Sequence, residues 1–481
     1  MSLKNKVKKS LVWTFSDQII SQVLFVIFGI FLARILPPSV FGVVGMVTIF
    51  TNFAALFIDM GFGTALIQKK DADNEHYSSV FWLNLGIGTF LYIIFFFTAP
   101  LLSAFFKEPQ ITVLIRVICL SFIISSLTSV QSNLLVRELK FKQKVIFNWI
   151  AIITGYAVAF ILALNNYGVW SIVWMTIVTS SINTILYWFS TNWYPSFIFN
   201  IAKVKELSRF GLNVLGDTTV NYWSRNFDNF IIARVLGSTD LGLYTRAYSL
   251  MLLPLRNVSS VITRVMFPAF AKKQDDLVSM KKYYLLIIRY ISLITFPAMI
   301  GLSLVSKEFV LLFFGNKWVG MIPLLSILSV IGTFQSILYL NGMIYNALAK
   351  ANIAFRISLM VNFVLIIVFS IGVNFGIVGM SWSYLIASML LFYPIYNTAI
   401  KQLNIKWPEV FVALKGSIFG TLGMAIGLIS INYLTHFSLL MGLIIKIIAG
   451  LMIYFIIIYY YEKELLKSVM FKFAAVLRNK S

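Results

Sequence analysis

Residues 31–42, FLARILPPSVFG, return two hundred positions later as residues 231–242, IIARVLGSTDLG. Ala33 falls on Ala233, Arg34 on Arg234, Ile35 on Val235, Leu36 on Leu236 and Gly42 on Gly242. At the same offset Asp17 falls on Asp217, each inside a long apolar segment. Chance convergence of two helix ends explains a short common word, but not a gapless match joined to a matching acid. A repeat of this length in a very apolar chain is the usual construction of a secondary transporter, in which two similar bundles face a common substrate path.

Composition narrows the class first. Of 481 residues, 59% are hydrophobic and only 12% charged, with a mean hydropathy of +0.88. Water-soluble domains carry about 25% charge. Here apolar runs reach about 20 residues or more, enough to cross a hydrocarbon core of roughly 30 Å. The short alternating segments of a membrane β-barrel do not dominate. The chain therefore reads as an all-α polytopic membrane protein with about fourteen transmembrane helices. Six helices per repeat give a parallel pair of lobes about a pseudo-two-fold axis. Residues 1–200 form an N-lobe and 201–400 a C-lobe; 401–481 add two further helices and a basic tail. The first apolar run holds Asp17, Gln18 and Gln22 and lacks a cleavage site, so it reads as a retained helix rather than a signal peptide.

Lysine and arginine set the orientation. The two termini, the even-to-odd loops and the adjoining helix ends hold 27 of them, against five on the other side. Both termini are thus expected in the cytoplasm. The net charge of +22 then serves topology and attraction to anionic membrane lipids, not nucleic acid. A single cysteine, Cys119, excludes a disulfide framework and a thiolate metal cluster. The two histidines, His76 and His436, read as solvated loop residues on opposite sides, so no metal site is expected.

The span over 211–235 is the most polar. On a helical wheel Asn213, Asn221, Ser224 and Asp228 all fall within about 40° of Asp217, with Arg225 on the edge of the stripe. A charge at mid-membrane costs at least about 2.5–3.5 kcal/mol, so the stripe must face a partner or water. The next span, 241–266, offers Arg246, Ser249, Asn257, Ser260 and Arg264 in one sector, with Arg256 at its margin. Pro254 interrupts it and frees a backbone carbonyl, as broken transporter helices do. Two readings stand at this point. Asp217 and Asp228 pair with the arginines and hold the bundle together, or the two spans line a wet, cationic cavity for an anionic substrate. Three arginines, Arg225, Arg246 and Arg256, against two acids leave a positive surplus. Arginine's planar fork suits phosphate oxygens and stays protonated at any working pH.

Asp17, Asp59 and Asp217 are candidates for coupling to a proton or Na⁺, since burial raises a carboxylate's pKa toward the working range. Asp59 also has a plainer role, satisfying backbone freed in the glycine-loosened segment Asp59-Met60-Gly61-Phe62-Gly63. Tyr222 and Trp223 are placed to stack on sugar rings, but Trp223 lies opposite the Asp217 face. Phosphate-loop, serine-hydrolase, zinc-protease and paired-cysteine motifs are absent. An enzyme is not expected, and neither is a bound cofactor.

The residues quoted resemble one group of transporters. The basic start Lys4–Lys9 leads into Leu11-Val12-Trp13; Leu32-Ala33-Arg34-Ile35-Leu36 is followed by Phe41-Gly42; and Asp59-Met60-Gly61-Phe62-Gly63-Thr64-Ala65-Leu66-Ile67-Gln68 is similar to an acidic, glycine-rich end of helix 2. In these the chain resembles the Wzx-type polysaccharide flippases of the multidrug/oligosaccharidyl-lipid/polysaccharide exporter superfamily, in the branch with teichuronic-acid and colanic-acid exporters. The resemblance implies a bacterial cytoplasmic-membrane flippase that moves an undecaprenyl-diphosphate-linked oligosaccharide to the outer leaflet by alternating access. It implies polysaccharide polymerase and glycosyltransferases as partners, and coupling to a proton or Na⁺ gradient that no motif here fixes. A lipid II flippase and a drug/cation antiporter of the same superfamily are the alternatives; the antiporter would want an acidic cavity. A membrane glycosyltransferase would want a large outer loop, which the chain lacks.

Overall fold

A hydrocarbon core offers no water to backbone amides, so a chain this apolar has to close its hydrogen bonds within each segment. The computed structural model does so, with helices and no strand among the described residues. It describes residues 3–434 and 438–463, and the side chains of all of these except 3–9, 11, 209–214, 217, 264, 265, 433 and 434; His436 lies outside the described residues.

The helices run, in order, α1 (Leu3–Ile35), α2 (Pro38–Asp59), α3 (Phe62–Gln68), α4 (Asn74–Phe106), α5 (Ile111–Ile118), α6 (Leu120–Arg137), α7 (Phe141–Leu164), α8 (Val169–Ser190) and α9 (Ile201–Val235). There follow α10 (Ser238–Pro254), α11 (Ser260–Ala271), α12 (Leu277–Leu304), α13 (Ser306–Phe309), α14 (Met321–Leu338), α15 (Asn341–Ala347), α16 (Ala351–Gly372), α17 (Gly376–Lys401), α18 (Trp407–Leu434) and α19 (Leu439–Tyr461). Among the described residues, twelve stretches are long and apolar enough to cross a membrane. One of them, Ala351–Lys401, holds both α16 and α17. The expected fourteen crossings thus require that stretch to cross twice and the more polar α9 to cross as well. The chain divides into two compact units, residues 1–242 and 243–481, with the boundary inside α10.

The repeat has a structural counterpart within the first unit. α1 ends at Ile35 and α9 at Val235; α2 begins at Pro38 and α10 at Ser238, the same offset throughout. Pro38 opens α2, where its missing N–H costs nothing. Gly42 lies against the Ser238 carbonyl, and Gly242 lies against the Pro38 carbonyl. A Cβ at Gly42 would come within 1.6 Å of the first oxygen, and one at Gly242 within 1.9 Å of the second. Each repeat therefore presents its glycine to the other's helix start. Only glycine lets two backbones approach so closely.

Breaks in the helices carry meaning. Between α2 and α3 the chain turns through Met60 (φ 44°) and Gly61 (φ 75°), both left-handed. After Pro254, residues Leu255–Ser259 form a π-helical turn before α11 resumes. Proline removes one backbone donor and breaks the regular hydrogen-bond ladder, and the chain continues in a wider turn. The interruption expected at Pro254 is therefore present.

Candidate functional site

α9 shows two different faces. On one, the Tyr222 hydroxyl donates to the Ile49 carbonyl at 2.6 Å, and Trp223 packs edge-on against Phe50 and at a tilt against Phe53 of α2. These two aromatics join helices and are not presented to a sugar. Round the helix from Trp223, Asn221 and Arg225 are exposed. Arg225 makes no hydrogen bond or ion pair among the described residues. Ser224 turns its hydroxyl back onto the Val220 carbonyl at 2.8 Å. Asp228, placed on the same stripe by the wheel, is buried at 6% exposure and accepts from the Asn229 amide at 2.8 Å. Asn213 and Asp217 lie on α9 with side chains outside the described residues.

In the second unit Arg246 is half-buried on α10. Arg256 and Asn257 are exposed, and both sit in the π-helical turn. The turn is held from behind. Leu255 and Ser259 are buried, and the Ser259 hydroxyl donates to the Ser336 carbonyl of α14 at 3.1 Å. Asn257 donates to the Leu253 carbonyl at 2.9 Å. Ser260, which the wheel grouped with these polar residues, is buried at 5% exposure. A π turn adds one residue per turn, so a wheel drawn at a constant angle loses phase across it.

The two described coupling candidates are held by neutral donors. Asp17 Oδ1 accepts from Ser21 Oγ at 2.9 Å, from Trp149 Nε1 at 2.9 Å and from Asn148 Nδ2 at 3.3 Å on α7. Asp59 Oδ2 accepts from the Gly63 amide at 3.2 Å, the backbone group left open by the turn at Met60 and Gly61. Its Oδ1 accepts from Ser129 Oγ at 2.7 Å, and that oxygen accepts from Asn84 Nδ2 at 3.1 Å. The plainer role for Asp59, service to freed backbone, is therefore seen. Among the described residues no group of three or more histidine, cysteine, aspartate or glutamate side chains could hold a metal.

His76 corrects the sequence reading. It is not a solvated loop residue but is 1% exposed, in the first turn of α4. Its amide donates to Asp73 Oδ1 at 2.9 Å, its Nδ1 lies 2.6 Å from the same oxygen, and its Nε2 lies 3.2 Å from Glu206 Oε2. Lys69 bonds Glu206 at 2.5 Å and Lys203 bonds Asp73 at 3.1 Å. This network ties the start of α9 to the loop between α3 and α4. Lys69 and the His76 ring hold the Glu206 carboxyl below the usual carboxylate range. The His76 amide and then its ring do the same for Asp73. The bond to Glu206 raises the Lys69 ammonium.

Two further charge pairs escaped the sequence reading. Lys446 of α19 meets Glu308 of α13 at 2.6 Å, with side chains only 6% and 13% exposed. Arg289 of α12 pairs with Glu462, whose side chain is fully buried. Gly416 makes room for that carboxylate, which would lie 2.4 Å from a Cβ there. The one available signal was a lone lysine in an otherwise apolar span.

The family model described as polysaccharide biosynthesis protein matches residues 31–323. The chain belongs to that family. Teichuronic acid biosynthesis protein TuaB of Bacillus subtilis (strain 168) is 30% identical over 311 residues, covering 63% of this chain and 64% of that protein. The match thus spans just under two thirds of that relative. Lipopolysaccharide biosynthesis protein WzxC of Escherichia coli (strain K12) is 28% identical over 397 residues, covering 81% of this chain and 80% of the relative. Succinoglycan biosynthesis transport protein ExoT of Rhizobium meliloti (strain 1021) is 28% identical over 298 residues, covering 62% and 60%. A solved structure of the lipid II flippase MurJ in an inward closed conformation aligns with a TM-score of 0.75 at 15% identity, over 95% of this chain and 99% of that one. That likeness speaks for the fold alone. The polysaccharide biosynthesis family member described here is a multi-pass membrane protein.

Proposed function

We propose that this chain is a flippase of the bacterial cytoplasmic membrane. Its cargo is an undecaprenyl-diphosphate-linked oligosaccharide, carried from the inner to the outer leaflet by alternating access for polysaccharide export. Family membership and relatives named for teichuronic acid, lipopolysaccharide and succinoglycan synthesis support the cargo class. Transport, not catalysis, fits these relatives and the lack of any catalytic constellation in the sequence.

The observation that carries the reading is Arg225. An exposed guanidinium on a membrane helix faces lipid only at a cost of about 2.5–3.5 kcal/mol or more, so it needs water or an anion. With Trp223 and Tyr222 turned onto α2, Arg225 is available to a phosphate. Arg246 and Arg256 supply further guanidinium groups, and the π-helical turn after Pro254 presents the second of these outward. In this reading Asn221, Ser224, Asn257, Asn213, Asp217 and Asp228 make up the polar surroundings. Asp17, Asp59 and Asp217 are the carriers of proton or Na⁺ coupling. Residues 1–200 and 201–400 act as the paired lobes, with 401–481 appended. A polysaccharide polymerase and glycosyltransferases work on either side of the step.

Arg225→Ala and Arg246→Ala should each abolish polymer export in a strain lacking its own exporter, while membrane insertion stays normal. Full complementation by both variants would overturn the diphosphate role. Rescue of a strain depleted of its lipid II flippase, without rescue of polymer export, would reassign the cargo to the peptidoglycan precursor.

A further inference from the structure

A groove of about 520 Å³ runs between α12 and α18 in the second unit, and Arg225, Arg246 and Arg256 are not among its lining residues. Its α12 wall is a single helical stripe, Lys282, Leu285, Leu286 and Arg289, at spacings of three and four residues. Val412 and Ala413 of α18 form the facing apolar wall. The lining carboxylate Glu409 and the lining Arg289 already have partners. Glu409 at the rim takes Lys281 at 2.7 Å, and the same lysine reaches the Asn404 carbonyl at 3.3 Å. Glu462 takes Arg289 deeper down. Lys282 is exposed and has neither a hydrogen bond nor an ion pair among the described residues. The groove therefore has a cationic mouth above an apolar floor. Lys282 lies five residues into α12, about 8 Å along the helix axis from its first residue. The loops before α12 and α18, with Lys272, Lys273 and Lys406, and the α17 end at Lys401 belong to the lysine-rich side that charge asymmetry assigns to the cytoplasm. With that side in the cytoplasm, Lys282 lies near the cytoplasmic end of α12, within reach of inner-leaflet phosphates.

We propose that this groove binds an anionic glycerophospholipid of the inner leaflet. The phosphate sits on Lys282, and one acyl chain lies along Leu285, Leu286 and Val412. A zwitterionic lipid fits the floor equally well but cancels its own charge at the mouth, so selectivity rests on the headgroup. The groove shares no lining residue with the proposed cargo site, and its test does not depend on transport.

The full chain is purified and titrated with phosphatidylglycerol or phosphatidylcholine, and retained lipid is counted by native mass spectrometry. Wild type should keep phosphatidylglycerol about fivefold more than phosphatidylcholine, the effect of one lysine near an anionic headgroup. Lys282→Gln should erase that preference. Val412→Trp, which fills the groove without touching a charge, should lower retention of both lipids. Equal retention of the two lipids by wild type, or an unchanged preference in Lys282→Gln, would overturn the proposal. Displacement of bound phosphatidylglycerol by equimolar undecaprenyl phosphate would overturn it too, and assign the groove to the cargo's own lipid.

Discussion

Asp17 and Asp59 in the first unit, and Glu308 and Glu462 in the second, are all carboxylates of a largely apolar chain. They are satisfied by opposite means. Among the described residues the hydrogen-bond donors to the two aspartates are hydroxyl, amide and indole groups, with the Lys144 ammonium near Asp17 but not bonded to it. The two glutamates meet a lysine and an arginine. A carboxylate held by neutral donors is able to change its proton or ion without leaving a cation stranded. One held by a buried cation is not, because removing either charge leaves the other uncompensated. The first arrangement suits a group that cycles; the second suits a joint that stays closed. Here the joints fix α19 and the residue that follows it to α13 and α12.

Breaking a joint should have the largest effect. Lys446→Met leaves Glu308 buried and unpaired, and should lower stability by about 3–5 kcal/mol. A fall in the thermal aggregation midpoint of the purified chain would show it. Adding Glu308→Gln should recover most of the loss, since the stranded charge is then gone. A mild Lys446→Met, with no recovery in the double variant, would erase the distinction between the two units.

Asp59→Asn should act more gently on the fold. The amide keeps an acceptor for the Ser129 hydroxyl or the Gly63 N–H, so stability should drop by about 1 kcal/mol or less. Transport, in contrast, should lose its dependence on the driving ion if Asp59 carries it. A destabilisation as large as that of Lys446→Met would place Asp59 among the joints instead.

The smallest effect is expected from pH, at the network around His76. Glu206 and Asp73 have carboxyls held below their ordinary range. Groups shifted this way stabilise the folded state above that range and lose the contribution as pH falls through the lowered value. The tether of α9 should therefore be intact at neutral pH and weaken below about pH 4. Amide exchange over residues 200–207 should quicken there, and Glu206→Gln should flatten the response. Lys69, raised by its partner, has the opposite sign and loses its contribution only as pH rises past the ordinary lysine range.

Much of this was legible before any coordinates. The 31–42 and 231–242 repeat needed Gly42 and Gly242, and both prove to be points of close backbone approach. Pro254 announced a broken helix, and Asp59 beside two glycines announced freed backbone; both follow from rules that act within a few residues. What stayed hidden depends on distant partners. His76 is buried because Glu206, 130 positions away, comes to meet it. Lys446 and Glu308 are 138 apart. Asp228 is buried on the stripe, because a helix packed on several sides covers part of its polar face. The wheel failed at Ser260, because the π turn shifts every later residue round the axis.

The central claim is that Arg225 receives the diphosphate of the cargo. It is tested most directly by reconstituting the chain in vesicles and timing the flip of a fluorescent undecaprenyl-diphosphate oligosaccharide. Wild type should move it, and Arg225→Ala should be at least about tenfold slower, the loss of one charge-assisted phosphate contact of about 1.5–3 kcal/mol. Arg225→Lys should fall between the two, because a lysine keeps the charge and loses the fork. Equal rates for wild type and Arg225→Ala, with the same amount of correctly inserted protein, would contradict the account.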